Sequence, residues 1–126
     1  MSRPEEVKAV RHAQVRYNGR MTTMRDIAAL SEAIVREFAP ERVLLFGSHA
    51  YGVPTADSDV DLLVVMPHDG KPSAMATQIR RRVRPKFALD LLVRSPEALA
   101  ERIEMNDCFV REIVARGRVL YERHHA

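Results

Sequence analysis

Two aspartates, Asp59 and Asp61, stand at the head of the apolar run VDLLVVM (60–66). Residues two apart in a strand point to one face, so this pair repels itself unless positive charge compensates. Asp61 is followed by LLVV and is expected to be partly buried, where an unpaired carboxylate costs several kcal/mol or gives up its charge. Upstream, Gly47 and Ser48 follow the run RVLLF (42–46). A strand that ends in a short helical turn offers fixed N–H groups and a hydroxyl to an anion, and a glycine lets that anion come close. Asp90, inside FALDLLV (87–93), repeats the anomaly and is expected to be a second inward carboxylate among strand-forming apolar residues. A hard divalent cation taking carboxylates from the protein and oxygens from a phosphate accounts for all of these residues at once, and Mg²⁺ favours that mixture. Plainer readings stand beside this one. Asp59 could open an Asx-turn, and Asp90 could pair with an arginine of 80–84.

The elements that position these residues follow from periodicity. Ile27, Leu30, Ile34 and Phe38 recur at helical spacing; Thr23 with Asp26 starts that helix and Pro40 ends it. RVLLF and VDLLVVM read as strands, with PHDGKP as the loop after the second. Residues 73–83 read as a helix stopped before Pro85, and FALDLLV as a third strand. SPEALAERIEM starts with a Ser cap and Pro at the first helical position. A second helical piece covers 108–115 and stops at Gly117, and RVLYE (118–122) is either an edge strand or a packed tail. Alternating strands and helices predict an α/β or α+β layer fold. Residues 1–21 are taken as an N-terminal arm or helix and 22–126 as the functional domain.

At 126 residues, 46% of them hydrophobic and 29% charged, the chain has room for one domain and one core. No apolar run is long enough to span a membrane, and the charged N-terminal stretch does not read as a secretory signal. Cys108 is expected to be a small core residue, and a lone cysteine suits a reducing cytoplasm. The net charge of +3 comes from RRRVRPK (80–86); without its five basic residues the chain holds 15 basic against 17 acidic. That cluster reads either as a solvated helix end or as a patch facing phosphate or a partner. No aromatic residue interleaves it, which disfavours single-strand nucleic-acid binding.

Gly47-Ser48, ten residues, then Asp59-Val60-Asp61 before an apolar run resembles the signature of the polymerase-β-type nucleotidyltransferases, with Asp90 where their third carboxylate is expected. The ending FVREIVARGRVLYE looks like the minimal nucleotidyltransferases, the MNT type, several of which are antitoxins of HEPN-domain toxins. The resemblance implies a small mixed sheet flanked by helices. It implies two Mg²⁺ ions held by Asp59, Asp61 and Asp90, with ATP as substrate gripped at Gly47 and Ser48. Asp90 would be the base for the acceptor hydroxyl. Many relatives carry arginine at the first and third positions after the Gly-Ser, where this chain has His49 and Tyr51.

Only 36 residues follow Asp90, little material for an acceptor pocket, so the acceptor side is expected to come from another protomer or another protein. For an MNT-like chain that implies AMP transfer to a tyrosine of a HEPN toxin. Transfer to a small molecule or RNA, in a site completed by a homo-oligomer, and a non-catalytic module that masks its partner are the alternatives.

Overall fold

The computed structural model describes residues 21–124, so the arm or helix expected over residues 1–21 lies, but for its last residue, outside the described residues. Helix α1 runs from Met24 to Phe38 and starts with a full capping box, the Asp26 amide donating to Thr23 Oγ1 and the Thr23 amide to Asp26 Oδ2. It closes on Ala39 in the left-handed region, just before Pro40. β1 (Arg42–Phe46) leads into the single-turn helix α2 (Ser48–Tyr51), followed by β2 (Val60–Val65), α3 (Pro72–Val83) and β3 (Leu89–Arg94). α4 (Pro96–Glu104) and α5 (Cys108–Arg116) precede β4 (Arg118–Glu122).

The sheet order is β3-β2-β1-β4, antiparallel except for the β2–β3 pair. RVLYE is therefore an edge strand. Boundaries move slightly from those expected: α3 starts one residue early, with Pro72 in its first turn, and β3 covers 89–94 rather than 87–93. Phe87 is buried but precedes the ladder, and parallel pairing starts only where the Ala88 carbonyl accepts from the Val60 amide at 2.9 Å.

Alternation along the strands splits the core in two. Val43, Leu45, Val60, Leu62, Val64, Leu89, Leu91 and Val93 pack with Ile27, Ile34 and Ile79 of α1 and α3. The opposite side chains, Leu44, Phe46, Leu63 and Val65, pack with Leu99, Val110 and Ile113 of α4 and α5. Ile113 is 1% exposed and holds α5 to the second face. Ile113→Ala is expected to cost about 3 kcal/mol from lost transfer energy plus a cavity, seen as a lower urea midpoint with an unchanged slope.

Two expectations fail. Cys108 is exposed, because it is the first residue of α5 and the face turned to the sheet carries Val110 and Ile113 instead. Asp90 is also exposed rather than inward, because β3 is an edge strand whose buried side is Leu89, Leu91 and Val93. Two members of the basic run 80–86 have local partners: Arg82 Nε lies 2.9 Å from Glu37, and Arg80 donates to the Leu89 carbonyl rather than pairing with Asp90. No described helix is long and apolar enough to cross a membrane.

Candidate active site

The C-terminal end of β1 and the N-terminal ends of β2 and β3 meet at one end of the sheet. Antiparallel register sets Phe46 opposite Asp61, and parallel register sets Asp61 opposite Asp90. Three neighbouring strands thus bring Gly47, Asp61 and Asp90 together from positions as much as 43 residues apart. Asp59 stands exposed immediately before β2.

Gly47 has φ +74° and ψ −157°, a backbone region almost confined to glycine. A Cβ added there would lie 2.1 Å from Asp61 Oδ2, so the carboxylate occupies the space that a side chain would take. Gly47 caps α2, and its carbonyl accepts from the Ala50 and Tyr51 amides at 3.0 and 3.1 Å. Ser48 is the first helical residue, where amides have no carbonyl one turn earlier to accept them. Gly52 closes the turn against Ser48; a Cβ on it would sit 2.9 Å from Ser48 Cα. Sequence reading passed over Gly52, although a second glycine four residues after Ser48, at the end of a one-turn helix, is a usable signal of close packing.

The positions that differ from many relatives are occupied by fastening contacts. His49 Nδ1 lies 3.2 Å from the Asp59 carbonyl oxygen, tying α2 to the residue before β2. Its Nε2 is buried without a hydrogen-bond partner among the described residues. The Tyr51 ring carries the Arg116 guanidinium 4.4 Å from its centroid, and Phe46 meets Phe109 edge-on at 5.7 Å. α2 is thereby held to α5 as well as to the sheet.

The electrostatics are those of crowded carboxylates. Burial first, then the charges of Asp90 and Asp59, push Asp61 from 3.8 up to about 6, and in its protonated form it hydrogen-bonds Asp90. No three of the described His, Cys, Asp or Glu side chains already converge as a metal cage. The donor chemistry nonetheless fits a hard divalent cation: carboxylate oxygens in mutual repulsion beside a glycine cradle, able to ionise fully once positive charge is shared between them.

A pH prediction follows from Asp61. Its folded value is raised, so the metal-free protein binds more protons than the unfolded chain between about pH 4 and 6. The associated stability is complete below that window and lost as pH rises through it. The shift corresponds to at most about 3 kcal/mol, and solvent screening of the half-exposed group reduces this to about 1 kcal/mol. Thermal unfolding without metal should show a difference between pH 5 and pH 7 in the wild type that is diminished in Asp61→Asn.

Comparison with known proteins bears on the fold and the family. No curated protein matches the chain. A crystal structure described as that of a nucleotidyltransferase from Sulfolobus solfataricus shares the fold with a TM-score of 0.56 at 18% identity, covering 90% of this chain and 93% of the other. The family model for the nucleotidyltransferase domain matches residues 27–121, from the buried face of α1 to the edge strand β4 and across the whole carboxylate site. The chain belongs to the nucleotidyltransferase domain family.

Proposed function

We propose that this protein is a Mg²⁺-dependent nucleotidyltransferase that moves AMP from ATP to a tyrosine hydroxyl of a partner protein, acting as the antitoxin of a HEPN-type toxin. The observation that carries the transfer chemistry is the register that sets Asp61 beside Asp90, directly against the Gly47 cradle. Asp59 and Asp61 would hold one ion on the triphosphate, and the same pair with Asp90 would hold a second on the acceptor side. A magnesium ion held by these carboxylates would supply charge neutralisation for the triphosphate and for in-line displacement at the α-phosphorus. The Ser48 hydroxyl and the first amides of α2 hold the outer phosphates. Asp90, exposed and next to Asp61, takes the proton of the acceptor hydroxyl. A bond forms between that oxygen and the α-phosphorus, the bond to the bridging oxygen breaks, and pyrophosphate leaves.

The openness of the site supports a macromolecular acceptor. Asp59 and Asp90 are exposed, and the groove of about 340 Å³ between α1 and the α3–β3 turn is lined by Leu30, Val83 and Phe87 rather than by any of the three aspartates. An acceptor that brings its own walls suits such a sheet end. The resemblance to MNT chains supports a HEPN-type partner.

The test is incubation with α-³²P-ATP and Mg²⁺, with and without the protein encoded by the neighbouring gene. Label on the partner that requires Asp59 establishes the reading. Label on RNA or a small molecule moves the acceptor elsewhere. Protection of the partner with Asp59 and Asp61 both replaced by Ala points to masking by contact alone.

A further inference from the structure

We propose that His49 is a positioning residue for Asp59: its ring, rather than gripping phosphate, fixes the carbonyl of Asp59 and so the direction of that carboxylate. The inference rests on the reading of Asp59 as a metal ligand.

The loop between α2 and β2 ends at Asp59, whose side chain is exposed and whose backbone lies outside the β2 ladder by one residue. The loop has internal order at its middle. The Thr55 amide donates to Ser58 Oγ at 2.9 Å, the Asp57 amide to Thr55 Oγ1 at 3.3 Å and the Ser58 amide to the Thr55 carbonyl at 3.1 Å. Those bonds shape the turn but do not attach it to the rest of the molecule. The His49 contact does, ten residues back in the chain and on the helix that Gly47 and Gly52 clamp in place.

A carbonyl oxygen only accepts, so the 3.2 Å contact makes Nδ1 the donor. Nε2 is sealed from solvent and has no hydrogen-bond partner among the described residues. Neither ring nitrogen is therefore free to reach an outer phosphate. A ring whose Nδ1–H goes to a backbone carbonyl and whose other nitrogen is buried and unsatisfied is placed for that one bond. Groups that orient metal ligands typically change metal affinity by 10–100-fold when lost.

The test uses wild type, His49→Phe, His49→Asn and Asp59→Asn. Phenylalanine retains the ring volume without the donor, and the asparagine amide nitrogen replaces Nδ1 while removing Nε2. Mn²⁺ binding in the presence of ATP is read from free-ion electron paramagnetic resonance, and amide exchange of residues 57–60 is read on metal-free protein. His49→Phe is expected to weaken Mn²⁺ binding about tenfold and to speed exchange at the end of the loop, with the melting temperature held. His49→Asn is expected to restore both.

Wild-type binding and exchange in His49→Phe, alongside weak binding in Asp59→Asn, would overturn the positioning role while leaving Asp59 a ligand. Full Mn²⁺ binding by Asp59→Asn would remove the ligand reading and this inference with it. Failure of His49→Asn to restore binding while it restores loop exchange would also overturn the proposal, because it would transfer the effect from loop anchoring to Nε2.

Discussion

Asp61→Asn is expected to abolish nucleotidyl transfer, by a factor of a thousand or more on the order of lost charge stabilisation at such centres, while making the metal-free protein more stable at pH 7. Both effects have one cause. Asp61 is the half-buried member of a crowded trio, lifted to about 6 by burial and by Asp90 and Asp59, so its ionised form at neutral pH is unfavourable in the absence of a cation. A neutral amide removes that repulsion. It also removes the charge that the nucleotide-bound cation needs. Asp59→Asn should lose activity to a similar degree with little change in stability, because Asp59 is exposed and precedes the ladder. Adding Mg²⁺ with ATP should raise the melting temperature of wild type but not of Asp61→Asn. A loss of activity accompanied by lower stability in Asp61→Asn would mean that the residue is a structural group.

Gly47→Ala should damage both the fold and the reaction, and the comparison with Gly70 separates the two effects. Both glycines have positive φ, +74° and +73°. Gly70 lies in the loop before α3 with nothing within 4 Å of an added Cβ, so Gly70→Ala carries backbone strain alone, about 1 kcal/mol, and transfer should be unchanged. Gly47 combines strain with a Cβ 2.1 Å from Asp61 Oδ2 and 3.0 Å from its Cγ. Asp61 must move, and as it is bound by register between Phe46 and Asp90, it can move only by leaving the arrangement that serves the chemistry. A loss of about 2–4 kcal/mol is expected, 1–3 of it from the strained backbone and the rest from displacement of the carboxylate. Activity should fall at least a hundredfold, since misplacement of about 1 Å can have that effect. Unfolding midpoints measured beside label transfer for the two variants check both statements.

The contacts made by α2 bear on substrate handling. Relatives with arginine at the first and third positions after the Gly-Ser place two cations there, whereas this chain has a histidine bound to a carbonyl and a tyrosine under Arg116. α2 is thus a turn fastened to the protein through His49 and Tyr51. Under the proposed function the grip on the outer phosphates would fall to Ser48, to backbone amides and to the cation, and nucleotide binding is then expected to depend strongly on divalent metal.

Much of this was readable from local pattern alone. Thr23 and Asp26 form the box that starts α1, Ser95 caps α4 with Pro96 following, and the alternation in LDLLVR puts Asp90 on the side opposite Leu89, Leu91 and Val93, because caps and periodicities act over a few residues. The spacing from Gly47-Ser48 to Asp59 and Asp61 is likewise a local feature, and it was enough to mark the family. Exposure and partnership were not readable there. Asp90 lies open to solvent because β3 is at the edge of the sheet, and Cys108 faces outward because α5 turns Val110 and Ile113 to the strands. The pairing of Asp61 with Asp90, the Gly47 cradle and the His49 anchor depend on which strands neighbour one another and in which register. Those choices are made by burial of two apolar faces across the whole domain, so only the tertiary structure decides them.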